Sequence, residues 1–198
     1  MKFNYTNNHI VIPVYTSKGV KNAILDTGNP AFTIFKDNSI KEISLSGINF
    51  NLQSNVFSEI IQTIMNWDEI SKLVKTEIDG IIGYDFLLEH DLLIDLKNFD
   101  ISIAENIQPF DSNVVEMNFF MNVPIIKLKI QGLEINAIFD TGAMHTVINS
   151  NYREYLFDKN EIIEDYNPTL GKFIANLYEG DIIIGNILIE NSIIACST

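Results

Sequence analysis

The sequence predicts an all-β protein built of two lobes, with a few short helices. Three observations carry that expectation. The first is an internal repeat: residues 10–35 read IVIPVYTSKGVKNAILDTGNPAFTIF, and residues 122–148 read NVPIIKLKIQGLEINAIFDTGAMHTVI. The second is composition, rich in Ile and poor in Ala. Such a balance leans towards strands, because β-branched side chains pack well on a pleated surface. The third is alternation of apolar and polar residues between glycine corners outside the repeats, as in 40–60, IKEISLSGINFNLQSNVFSEI.

In chain order, each repeat starts with an apolar stretch around a proline, Pro13 or Pro124. Each turns at a glycine, Gly19 or Gly132, which suits a tight hairpin. Each then runs through Asn-Ala-Ile and one more apolar residue into Asp-Thr-Gly. Gly28 and Gly142 free the backbone where the chain must bend after each Asp. Between the repeats, Gly47 marks a hairpin corner. Residues 66–75, NWDEISKLVK, read as a short amphipathic helix with Asp68 and Glu69 at its start and Lys72 and Lys75 at its end, as the helix dipole favours. Residues 79–90 give a short apolar strand, a glycine and a helical turn; residues 92–103 give a hairpin turning at Lys97-Asn98. After the second repeat, 149–157 reads as a short helix capped by Asn149 or Ser150. Residues 158–171 read as polar and turn-rich, and 172–196 as two or three strands. A polar, aperiodic stretch containing Pro109 separates the halves. The expected organisation is a first lobe at 1–105, a linker at 106–117 and a second lobe at 118–198.

A chain of 198 residues can bury one large or two small cores, and 46% hydrophobic residues exclude a mainly disordered one. The formal net charge of −13 repels phosphate backbones and anionic membrane surfaces, so neither nucleic acid nor membrane is expected as a partner. Cys196 is the only cysteine, so no internal disulfide can form. With no signal peptide and no run long enough to span a bilayer, the expectation is a cytoplasmic protein. His, Cys and carboxylate spacings suggest no metal site, and no cofactor is implied. His145 reads as a pocket-lining or surface residue, and His9 and His90 carry no partner pattern.

One Asp-Thr-Gly tripeptide says little; two in matched apolar settings say more. A pseudo-two-fold arrangement of two such turns brings two carboxylates face to face. They cannot both ionise there, so they share a proton, and one serves as base and the other as acid towards a water between them. Ala23-Ile-Leu-Asp-Thr-Gly28, Ala137-Ile-Phe-Asp-Thr-Gly-Ala143 and Asp79-Gly-Ile-Ile-Gly-Tyr-Asp-Phe-Leu87 resemble the retropepsin-type aspartic proteases. The resemblance covers most of 10–103 and 122–194. It implies the two-lobed acid-protease β-barrel fold, hydrolysis of peptide or protein substrates, and Asp26 and Asp140 as the catalytic pair. By the same resemblance Thr27 and Thr141 cross-link the two turns, and Gly28, Gly142 and Ala143 border the substrate. Ile81-Ile82-Gly83 would buttress the first turn.

The chain departs from the family pattern in three places. Asn29-Pro30 stands where the family has a small residue, and Pro30 removes a backbone donor. The first half has no room for a flap. The expectation is therefore a single flap in the second lobe, over 165–178, with Gly171 near its tip. The second half also lacks a clear apolar-apolar-Gly element. Ile183-Ile184-Gly185 aligns better with the Gly47 corner, LSGINFNLQSN against IIGNILIENS. On that alignment the second lobe stops before its buttress. Truncation of the chain, completion by another segment and completion by a partner are all open, as are a monomer and association through this lobe. The alternative function is a catalytically inactive peptide-binding or assembly module whose second lobe is completed by a partner.

Overall fold

In the computed structural model the chain folds into two curled, seven-stranded sheets and a separate hairpin. The structure describes residues 1–29, 32–53, 56–104, 107, 114–167 and 171–197, apart from the side chains of Phe57 and Ser197.

The first sheet holds β1 (Asn4–Thr6), β2 (His9–Thr16), β3 (Gly19–Leu25), β4 (Ile34–Phe35), β5 (Glu42–Leu45), β6 (Ile48–Asn51) and β7 (Gly80–Ile82). Its order is β4-β7-β3-β2-β5-β6, with β1 also on β2. Two helices, α1 (Val56–Ile64) and α2 (Trp67–Val74), lie between β6 and β7; α3 (Tyr84–Leu87) follows, then the hairpin of β8 (Asp91–Asp95) and β9 (Asp100–Ala104). The short strand β7 organises this half. It runs parallel to β3, with Leu25 opposite Ile82, and antiparallel to β4 on its other side. Enclosed on both edges, it is buried throughout, which explains an uninterrupted apolar sequence. Lys21 fixes its entry through Asp79 at 3.2 Å, where Asp79 also accepts the Asn22 N–H at 3.0 Å. Leu25, Ile82, Phe86 and Ile101 share one core; Ile24, Ile81, Trp67 and Ile70 share a second beneath α1 and α2.

The second sheet holds β10 (Met117–Phe120), β11 (Val123–Ile130), β12 (Leu133–Ile138), β13 (Thr146–Ile148), β14 (Phe157–Asn167), β15 (Gly171–Ile184) and β16 (Ile187–Ser197). Its order is β10-β11-β15-β16-β13, with β12 on β11 and β14 on β15. The repeat is visible in the pairing. β2 pairs with β3 and with β5; β11 pairs with β12 and with β15. Gly47 turns β5 into β6, and Gly185 turns β15 into β16. Several corners are two-residue turns with positive φ at both positions, among them Asn7-Asn8, Ser46-Gly47 and Gln131-Gly132. Such turns match the twist of the flanking strands, and Asn and Gly tolerate them best.

The all-β expectation holds, and several elements fall where the sequence puts them. The 66–75 helix is α2, with the Asn66 side chain accepting the Glu69 N–H at 3.2 Å and Lys75 closing it in the left-handed region. Ser150–Tyr155 forms a 3-10 turn capped by Asn149. Two elements differ. Residues 56–64 are helical rather than a continuation of the strand alternation, and the polar stretch 157–167 is the strand β14. Met117, placed at the end of the linker, opens β10. Most of the linker, Pro109 included, lies outside the described residues, as does Pro30.

Candidate active site

Each Asp-Thr-Gly turn leaves the end of its strand. In the first half the Asp26 N–H donates to Ile82 O at 3.0 Å, and the Tyr84 N–H donates to Asn29 O at 3.0 Å. The backbone of β7 and α3 therefore holds this turn from behind. The Thr33 hydroxyl adds to the support, accepting the Gly83 N–H at 3.1 Å and donating to Asp85 at 2.8 Å. In the second half the Phe139 N–H donates to Pro124 O at 2.9 Å, so β11 supports the turn from one side.

The two turns meet in a reciprocal lattice. The Thr27 N–H donates to Thr141 Oγ1 at 3.1 Å, and the Thr141 N–H donates to Thr27 Oγ1 at 3.0 Å. The Thr27 hydroxyl donates to Phe139 O at 2.6 Å, and the Thr141 hydroxyl donates to Leu25 O at 2.7 Å. Each hydroxyl thus donates once and accepts once, and neither turn can move without the other. Glycine is required on both sides. A Cβ on Gly28 would overlap the Asp140 carboxylate, and a Cβ on Gly142 would overlap that of Asp26.

The lattice sets the carboxylates of Asp26 and Asp140 against one another, within a side-chain hydrogen bond. Asp26 is half-buried by surface yet lies deep among protein atoms. Its desolvation, then the charge of Asp140 and the hydrogen bond to it, push its pKa well above the usual carboxylate range. Backbone N–H groups of Gly28 and Asn29 oppose that rise without cancelling it. The Gly142 N–H donates to Asp140 Oδ1 at 2.8 Å. A neutral acid facing an ionised one is the arrangement that such crowding favours.

The pair lies in a long cleft. Gly28, Gly142 and Ala143 line it beside the carboxylates, with Ile24, Phe32 and Ile81 from the first half and Phe173 and Ile174 from the second. The β14–β15 hairpin reaches towards α2 of the other half. The Tyr166 hydroxyl accepts the Asn66 N–H at 3.3 Å, and its ring packs on the α1–α2 core. Lys172 joins Glu69 at 2.8 Å and Glu164 at 3.0 Å. Gly171 closes this hairpin opposite Asn167, with φ +80°, but is not among the residues lining the cleft.

Thr27 and Thr141 therefore act behind the carboxylates, whereas Gly28, Gly142 and Ala143 face the cleft. His145 also lines the cleft. His9, which carries no partner pattern in the sequence, has one in the fold. It is buried, lines the cleft, and pairs its Nδ1 with Asn7 O at 2.7 Å. Burial lowers its pKa, opposed by the Asn7 carbonyl and by Asp165 and Asp140. No local motif marks it; the Asn7-Asn8 turn and the approach of the second half create its setting.

A family model described as retroviral aspartyl protease matches residues 121–160, the stretch that carries the second Asp-Thr-Gly. The match supports a retropepsin-like relationship, and the curled all-β sheets agree with the barrel fold of that family. No curated protein matches the chain.

Proposed function

We propose that the chain is an aspartic endopeptidase, with residues 1–105 and 118–198 as its two lobes, 106–117 as the linker between them, and Asp26 and Asp140 as the catalytic pair. The observation that carries this reading is the approach of the two carboxylates within the cleft, each set against the glycine of the opposite turn, with burial and Asp140 raising the pKa of Asp26. The substrate is a peptide or protein strand lying along the cleft, between the carboxylates and the β14–β15 hairpin.

The chemistry follows from one proton shared by two acids. The ionised carboxylate takes a proton from a water as that water's oxygen bonds to the scissile carbonyl carbon. The protonated acid gives its proton to the carbonyl oxygen, yielding a neutral gem-diol. Collapse of the diol breaks the C–N bond. One hydroxyl proton returns to the pair and the proton gained from water passes to the departing nitrogen. The products are a carboxylic acid and an amine, and the pair again holds one proton. The threonine lattice keeps the carboxylates in register through both steps.

Incubation with a mixed peptide library and mass-spectrometric detection of products tests the reading. Asp26→Asn and Asp140→Asn are each expected to lower turnover by about 10²–10⁴-fold or more, while circular dichroism stays unchanged. Undiminished cleavage in either variant would sink the assignment.

A further inference from the structure

The repeat places equivalent residues in unequal surroundings. Ile24 and Leu25, leading into the first Asp-Thr-Gly, are 5% and 0% exposed; Ile138 and Phe139, leading into the second, are 57% and 41% exposed. In the first half β7 lies along the outer edge of β3, its Ile82 carbonyl accepts the Asp26 N–H, and α3 follows. In the second half β12 pairs, among the described residues, with β11 alone. Among the described residues, no strand lies on its other edge and no backbone carbonyl accepts the Asp140 N–H. Ile138 and Phe139 lie in the same groove that holds the carboxylates, with Val147, Ile189 and Ile193, each also exposed.

We propose that the free edge of β12 is a docking site for an added strand that lies outside the described residues. That strand is an apolar-apolar-glycine segment followed by a helical turn, laid parallel to β12 as Gly80–Leu87 is laid along β3. The first half defines the occupant, because it shows the same edge already covered. An open, apolar strand edge favours added pairing, and alternate side chains of the added strand would enter the groove over Phe139. Charge narrows the partner further. Among the described residues, those lining the groove and the adjoining cleft include Asp26, Glu134, Asp140 and Asp165 and no lysine or arginine, so basic residues flank the incoming segment. A second copy of this chain fits poorly: it carries the same net charge of −13, and its own Ile81-Ile82-Gly83 is buried beside β3. The docked strand would supply the acceptor for the Asp140 N–H and brace the second turn as β7 braces the first.

This inference rests on the two-lobe reading but not on turnover, so it is tested on the full chain carrying Asp26→Asn. The probe is a synthetic peptide, GIIGYDFL between pairs of lysines. Hydrogen exchange and titration calorimetry should report one site per chain. At ten times its Kd, the peptide should slow exchange of amides in 134–140 about tenfold. Phe139→Asp, at an exposed position, should weaken binding by at least about tenfold, as expected for loss of a buried aromatic anchor. A control peptide with both isoleucines replaced by aspartate should not bind. Unchanged exchange in β12 at saturating peptide overturns the proposal. So does equal binding of the control peptide, protection of β3 instead of β12, or self-association that protects β12 without peptide. Loss of cleavage in the wild-type chain would refute the proposed function and leave this result untouched.

Discussion

Thr27 is buried and Thr141 half-buried, yet each hydroxyl has both a donor and an acceptor role filled by the opposite turn. The resemblance to the retropepsin-type pattern implied this cross-link, and the matched apolar settings of the two tripeptides carried that resemblance. The inequality of the two carboxylates was not legible, since it comes from burial. Asp26 holds its proton in the folded state above the range where an unfolded aspartate releases it. The unfolded chain then binds fewer protons than the native one, so stability attributable to Asp26 is full below the ordinary aspartate range and falls as pH rises through the raised value. Asp26→Asn removes that loss. Urea denaturation should find the variant more stable than wild type at neutral pH, with the difference shrinking on acidification. A difference that grows on acidification would contradict the direction assigned to Asp26.

At the scale of elements, the misread segments are those whose structure depends on neighbours. Residues 56–64 place apolar groups at spacings that fit a helix as well as a strand. The helix wins because Ile61 and Met65 bury against the core beneath α1 and α2, while the Gln62 amide reaches the Phe35 carbonyl. β14 is polar and largely exposed, so it shows no alternation; pairing with β15 makes it a strand. The expected flap at 165–178 falls within this longer hairpin, from Phe157 to Ile184. Its end is held to α2 by Lys172, whose bonds to Glu69 and Glu164 raise its own pKa; Lys172, then Lys72, lower that of Glu69. Both partners of the Lys172–Glu69 pair meet water, so the latch is weak and screened by salt. Lys172→Ala should speed amide exchange in 162–177 by at most about fivefold, the size typical of exposed pairs, and high salt should reproduce the effect in wild type. No change in either experiment would show that Tyr166 alone holds the hairpin.

Across the whole molecule, the first half owns two large cores and a strand enclosed on both edges, whereas the second has two smaller cores and, among the described residues, an open edge. Local opening should follow that difference. Native-state hydrogen exchange should find the slowest amides in β2, β3 and β7, and faster exchange in β12 than in β3 despite the Asn-Ala-Ile they share. Equal protection of the two strands would mean that the second half is closed in solution. The Gly47–Gly185 alignment left β12 without a second apolar-apolar-glycine segment, and among the described residues no strand lies on its outer edge; the exposure of Phe139 was not legible, because exposure belongs to neighbours and not to a residue type. The glycines that touch the carboxylates carry a consequence for substitution. Gly28 makes room for Asp140, and Gly142 for Asp26. A side chain at either glycine would therefore fall on the aspartate of the other half, so a substitution in one copy of the repeat is felt at the carboxylate of its sibling.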